Sequence, residues 1–212
     1  MPLDVDGAAE RLLARIFGAL RSARLEAGLS QNGLAVGLPV RSRAISEWET
    51  GAVEPSMNHL IQWSHALGLR LVIIGRDGRR RPGPAHQRVG ETWEAFSRRR
   101  LAVPLRNRRL MLGLTLPELG ERVGVSRDSI YRWEFAYVSP RPIALIVWAQ
   151  KLTYSVALQS ITTELMTERP TGHDLAVAPS TDAPGVPRLT AEPGGTNDNS
   201  EFGRAAGTRS VF

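Results

Sequence analysis

The sequence has no cysteine among its 212 residues. Disulfide bonds, thiolate catalysis and cysteine-ligated zinc are therefore excluded. Histidine is scarce too: the chain has four, and a nearby pair, His59 and His65, would lie on different faces of a helix. We therefore expect neither a metal site nor a cofactor.

Long apolar runs are also missing. Runs such as Leu71–Ile74 and Ala144–Ala149 are far shorter than the ~20 residues that span a bilayer. The first residues include Asp4 and Asp6 and lack a basic cluster, which is not the pattern of a signal peptide. We therefore expect a soluble cytoplasmic protein with no membrane segment.

Motifs typical of enzymes are missing as well. The sequence shows no nucleophile–base pair, no glycine-rich phosphate loop and no paired carboxylates in a recognisable motif. The stretch Ser126–Ser129, which combines serine with aspartate, has the composition of a helix cap. We therefore expect that the protein is not an enzyme.

Positive charge exceeds negative charge, with 27 Lys and Arg residues against 21 Asp and Glu residues and a net charge of +6. Residues 170–212 hold five acids and three arginines, so this segment carries −2 and residues 1–169 carry +8. Arginine is abundant together with Ala, Gly and Pro, so its number reflects a general bias in composition. The positions of the arginines are therefore better evidence for a binding partner than their number. A basic body suggests a polyanionic partner.

One pattern occurs twice. The Ile-x-x-Trp-Glu sequence at Ile45–Glu49 returns 85 positions later at Ile130–Glu134. When the chain is displaced by 85 residues against itself, residues 20–67 show 17 identities in 48 positions without a gap. Two copies of one unit explain this match, and a period this long indicates duplicated domains.

Cap and break signals predict that each copy is helical. In copy two, Pro104 can begin a first helix, Thr115 opens a second with a capping box, Ser126 caps a third and Ser139-Pro140 starts a fourth. Copy one repeats this order, with its third helix over Ser42–Glu49. The region over residues 91–101 is expected to form a helix that leads into copy two.

A β-branched stretch follows each fourth helix, at Leu69–Ile74 and at Tyr154–Leu158. We expect short strands that pair with each other or with a second chain, although such runs could also extend the fourth helix. The predicted parts are residues 8–74 for copy one, 75–90 for a basic linker, 91–160 for copy two and 161–212 for a tail. Pro, Gly, Thr, Asp and Ala dominate the tail, so we expect it to be mostly disordered.

Two stretches, Leu29–Gly51 and Leu114–Glu134, each combine a short helix, a turn and a helix carrying Ile-x-x-Trp-Glu. This arrangement resembles the lambda-repressor-like (Cro-type) helix-turn-helix family over about half of the chain. The resemblance implies an all-α fold with two tandem domains of four to five helices each. It also implies that double-stranded DNA is the partner.

The resemblance implies that the third helix of each copy lies in the major groove. The positions expected to contact DNA are Gln31, Ser42, Arg43 and Glu47 in copy one and Arg127, Asp128, Tyr131 and Arg132 in copy two. Arginine can donate to guanine O6 and N7, and a carboxylate can accept from cytosine N4. Gln31, at the start of the second helix, is expected to contact a phosphate.

The same resemblance gives other prominent residues a structural role. Arg24 is expected to pair with Glu49, and Arg109 with Glu134, tying the first helix of each copy to the third. The tryptophans of the repeated pattern are expected to pack in the core. The arginine runs Arg79–Arg81 and Arg98–Arg100 could contact phosphates or simply be solvated.

The sequence therefore favours a sequence-specific DNA-binding transcriptional regulator that uses both copies as a pseudo-dimer. The alternative is a protein-interaction or antitoxin-like protein, in which one copy and the tail bind a protein partner. A homodimer formed through the strands or the tail also stays open. Copy one has Pro39 where copy two has the turn residue Gly124, so its turn is expected to be altered. Copy two keeps this turn and carries Arg127 and Arg132, so it is expected to be the better reader of DNA.

Overall fold

The computed structural model of the protein describes residues 2–161. The predicted tail lies outside the described residues, except for residue 161. Eight helices and three strands follow one another in the described part: α1 (Gly7–Glu26), α2 (Gln31–Val36), α3 (Ser42–Thr50), α4 (Met57–Ala66), β1 (Leu69–Ile74), β2 (Arg80–Arg81), α5 (Trp93–Met111), α6 (Leu116–Val123), α7 (Arg127–Glu134), α8 (Pro142–Lys151) and β3 (Ser155–Ser160). The fold is mostly helical, as predicted, with two helix-turn-helix regions.

Side-chain hydrogen bonds cap the starts of six of the eight helices in the described part. The hydroxyls of Ser30, Ser56 and Ser126 each accept a hydrogen bond from the backbone N–H three residues later. Thr115 and Glu118 form the predicted capping box at the start of α6. These caps satisfy N–H groups that have no partner within the first turn.

The prediction that Pro104 begins a helix is wrong. Helix α5 runs without interruption from Trp93 to Met111, with Pro104 buried inside it, and its N-cap is Thr92. A proline inside a helix costs about 3 kcal/mol. The adjacent buried side chains of Leu101 and Leu105 offset this cost, because they pack into the core.

The start of α8 also differs from the prediction. This helix begins at Pro142 rather than near Ser139, and its N-cap residue, Arg141, makes no side-chain capping bond. A carboxylate from copy one takes that place, because Glu54 Oε1 accepts from the Ile143 N–H at 2.7 Å. Arg141 also pairs with Glu54. One copy therefore caps a helix of the other.

The two predicted strands pair with each other. Strand β1 lies in the middle of a three-stranded antiparallel sheet with the order β2-β1-β3. The residues Gly68 and Thr153, both with positive φ, separate these strands from the preceding helices, so the strands do not extend them. The short strand β2, within the predicted linker, pairs with the end of β1.

The register of β1 against β3 is symmetric. Val72 pairs with Ala157, which lies 85 positions later and is therefore its equivalent in the other copy. On either side, Leu71 pairs with Leu158 and Ile73 with Val156, and exchanging the two copies interchanges these two pairs. The ladder thus has a local twofold axis between Val72 and Ala157.

The contacts between helices of the two copies follow the same twofold symmetry. Helix α1 packs against α8, and helix α4 packs against α5. Because α1 corresponds to α5 and α4 to α8, each contact is the counterpart of the other. The described residues belong to one compact unit, in which both copies contribute to a shared core. No helix within residues 2–161 combines the length and the hydropathy needed to cross a membrane.

Candidate nucleic-acid interface

A buried ion pair fixes the third helix of each copy. In copy one, Arg24 Nε and Nη2 donate to the two carboxylate oxygens of Glu49 at 2.5 and 2.9 Å, and Nη1 donates to the Leu29 carbonyl at 2.6 Å. In copy two, Arg109 makes the same contacts with Glu134 at 2.6 and 2.8 Å and with Leu114 at 2.7 Å. The predicted pairs are confirmed, and we call each of them a clamp.

The environment of the copy-one clamp shows how a buried carboxylate stays charged. Burial raises the pKa of Glu49, but hydrogen bonds from Arg24 and Gln31 outweigh it and leave the pKa below its usual value. The hydrogen bond to Glu49 raises the pKa of Arg24 in turn. The clamp is thus a fully ionised pair that holds α3 at a fixed angle to α1.

Gln31 belongs to this clamp in the structure. Its Nε2 donates to Glu49 Oε2 at 2.9 Å, and the residue is only half-buried. Copy two has Leu116 at the equivalent position and therefore lacks this hydrogen bond. A phosphate contact by Gln31 stays a prediction.

The outer face of α3 carries the other three positions predicted in copy one. Arg43 is exposed, whereas Ser42 and Glu47 are half-buried. Arg43 Nε donates to Glu47 Oε1 at 2.7 Å, one helical turn away. The two side chains that sequence analysis assigned to different bases therefore neutralise each other in this structure.

The outer face of α7 carries all four positions predicted in copy two. Their spacing puts Arg127, Asp128, Tyr131 and Arg132 on one side of the helix, and all four are exposed. Arg127 and Asp128 approach each other only to 4.0 Å. This face has an excess of positive charge and two arginine side chains available to a ligand, whereas the α3 face is balanced.

The turn that precedes each third helix differs between the copies. In copy two Gly124 adopts a left-handed conformation with φ 81°, and residues 2–4 lie against it. The Asp4 N–H donates to the Val123 carbonyl at 3.0 Å, and a Cβ on Gly124 would lie 2.2 Å from the Pro2 carbonyl oxygen. In copy one α2 ends at Val36, ahead of Pro39, so the turn is altered as predicted.

Two aromatic side chains that were not among the predicted contact residues, Phe135 and Tyr137, join the predicted Tyr131 at the end of α7. The ring of Tyr131 lies 4.8 Å from that of Phe135, which stacks on Tyr137 at 5.8 Å. The guanidinium of Arg106, on α5, lies 4.4 Å from the centre of the Phe135 ring. The signal in the sequence was the replacement of Thr50-Gly51-Ala52 by Phe135-Ala136-Tyr137 in the second copy. We call Tyr131, Phe135 and Tyr137 the aromatic ridge.

Arginines of the linker and of the first part of α5 make internal contacts. Arg99 donates to both carboxylate oxygens of Glu91 at 2.7 Å and to the His86 carbonyl at 3.0 Å. The Arg99 guanidinium lowers the pKa of Glu91 to about 2. Arg81 pairs with Asp77 and lies over the ring of Tyr154. These arginines hold the linker against α5 and the sheet.

Comparison with known families gives one result. The model of a helix-turn-helix family matches residues 20–74 and again residues 105–158, which together make up half of the chain. The chain belongs to this helix-turn-helix family. No curated protein and no solved structure gives a significant match to the chain.

The two family matches coincide with the two copies, including β1 and most of β3. The lambda-repressor-like resemblance and the tandem arrangement are therefore confirmed. A helix-turn-helix family is a DNA-binding family, so the coarse function is that of a DNA-binding regulator.

Proposed function

We propose that the protein is a sequence-specific DNA-binding transcriptional regulator in which the two helix-turn-helix copies act as a covalent pseudo-dimer. The observation that carries this proposal is the symmetric register of the sheet, in which Val72 pairs with its own equivalent, Ala157. A self-complementary interface of this kind is what a twofold homodimer uses. Here both sides of the interface belong to one chain.

The symmetry of the sheet supports a twofold relation between the two recognition helices. We infer that the axis that exchanges β1 with β3 also exchanges α3 with α7, because a buried clamp ties each of these helices to its own copy. Twofold-related recognition helices enter successive major grooves, with half-sites about 34 Å apart. One chain would therefore cover two half-sites on one side of the duplex.

The two faces favour different half-sites. On α7, Arg127 and Arg132 are exposed and offer guanidinium groups for guanine. On α3, the Arg43 donor and the Glu47 acceptor are already hydrogen-bonded to each other. We infer that the operator is asymmetric, and that copy two supplies more of the discrimination between bases.

Selection of random duplex DNA by the purified full chain at physiological salt, followed by sequencing, tests this function. The expected result is enrichment of two dissimilar half-sites about one helical turn apart. Enrichment of a palindrome would mean that two chains dimerise and one copy does the reading. Salt-sensitive binding without any enrichment would contradict sequence-specific regulation and would favour a protein-interaction role.

A further inference from the structure

The aromatic ridge exposes more apolar surface than the fold needs at that place. Tyr131, Phe135 and Tyr137 are 41%, 38% and 66% exposed, although each ring lies against another. Exposed clusters of aromatic side chains are typical of binding surfaces. All three rings lie outside the buried core.

Copy one shows that this turn forms without aromatic side chains. Its equivalent residues are Ser46, Thr50 and Ala52, and its turn residue is Gly51, with φ 71°. In copy two the turn residue is Ala136, held at a positive φ of 56° that glycine adopts more easily. Copy two thus keeps the same backbone path with a less favourable residue and adds three rings to its surface.

The position of the ridge indicates DNA as its partner. Tyr131 shares the exposed face of α7 with Arg127, Asp128 and Arg132, so the ridge continues the predicted DNA-reading surface. Arg132 on α7 and Arg106 against Phe135 place positive charge on two sides of it. An apolar surface edged by guanidinium groups is complementary to a base edge flanked by phosphates.

We propose that Tyr131 recognises the C5-methyl group of a thymine in the half-site bound by α7. This inference rests on the proposed function. Thymine is the one base that presents a methyl group in the major groove, beside its O4 acceptor. Phe135 is a positioning residue, because its ring supports that of Tyr131 and is itself covered by the Arg106 guanidinium. Ser46, the equivalent residue on α3, has no ring to make such a contact.

Replacing single thymines by deoxyuridine in the selected duplex tests the proposal, because this change removes one methyl group and leaves the base pairing intact. With the full chain, we expect the dissociation constant to rise about fourfold at one or two positions of the α7 half-site, the equivalent of one methyl group returned to water. No comparable rise is expected in the α3 half-site. The variant Tyr131→Ser, which places the copy-one residue in copy two, should bind the thymine and deoxyuridine duplexes equally.

Two controls separate this inference from the function on which it rests. The variant Ser46→Ala should keep the deoxyuridine effect of the unchanged chain, and thermal unfolding should show that Tyr131→Ser remains folded. A selected duplex that binds equally well with deoxyuridine everywhere would overturn the thymine contact and leave the proposed function intact. So would a deoxyuridine effect that persists in Tyr131→Ser. Failure to select any sequence would overturn both.

Discussion

At the scale of single residues, the two clamps determine how the recognition helices are held. The carboxylates of Glu49 and Glu134 keep 2% and 1% of their side-chain surface exposed, and both receive two hydrogen bonds from an arginine. A buried pair of this geometry adds little compared with a well-packed apolar pair, but removing one partner leaves a buried charge without compensation. The clamps are therefore sensitive to any change on one side.

The substitution Glu134→Gln should lower the free energy of unfolding by about 3 kcal/mol, because the buried Arg109 charge would lose its counter-charge. Glu47→Gln is the matched control, since it removes an acid from an exposed pair on α3 and should cost less than about 1 kcal/mol. Urea unfolding of both variants gives the comparison. Equal effects would contradict the structural role of the clamp.

Glu91 makes stability depend on pH. Its pKa is about 2 in the folded chain against 4.5 for an ordinary glutamate, because Arg99 donates to it. A group with a lowered folded pKa stabilises the folded state above its unfolded pKa, and this contribution is lost as the pH falls from about 4.5 towards about 2. Glu91→Gln should therefore be less stable than the unchanged chain at pH 6, with a gap that narrows below pH 4.5. Urea unfolding of both proteins at several pH values measures this difference in stability. A difference that does not change with pH would show that Glu91 is not the source of the pH dependence.

At the scale of helices and turns, local chemistry was readable from the sequence and contacts between the copies were not. Ser30, Ser56, Thr115 and Ser126 cap helices where a serine or threonine precedes a helical pattern, because capping needs only the adjacent backbone. The start of α8 could not be predicted in this way, since its cap is Glu54 from the other copy. The exposure of Arg127 and Arg132 followed from helical periodicity, whereas the stacking of Arg106 on Phe135 depends on how α5 and α7 pack.

The turn between α6 and α7 is the second element-scale case, because residues 2–4 close over it. Gly124→Ala should destabilise the chain by about 1–3 kcal/mol through the left-handed backbone alone. The variant should lose further stability through a clash with Pro2, because the added Cβ would lie 2.2 Å from the Pro2 carbonyl oxygen. In a chain without residues 2–4 the added loss should vanish. A double-mutant cycle by urea unfolding measures this coupling. A coupling energy of zero would mean that the contact with residues 2–4 does not matter to the turn.

At the scale of the whole molecule, the two copies share one core and one symmetric sheet. The repeat of 85 residues predicted two equivalent units, and the pairing of Val72 with Ala157 turns this equivalence into a twofold relation in space. The sequence left open whether the strands would meet within one chain or between two chains, because β-propensity does not specify a partner. A direct connection through paired strands, as between β1 and β3, is what a covalent pseudo-dimer requires.

The most direct test of this account inserts five base pairs, half a helical turn, between the two selected half-sites and measures the dissociation constant of the full chain. In the proposed pseudo-dimer the sheet fixes the relation between α3 and α7, so only one half-site could then be engaged in the correct groove. We predict that the affinity falls to that of a duplex carrying the α7 half-site alone. An unchanged affinity would show that the copies bind independently and would contradict the covalent pseudo-dimer.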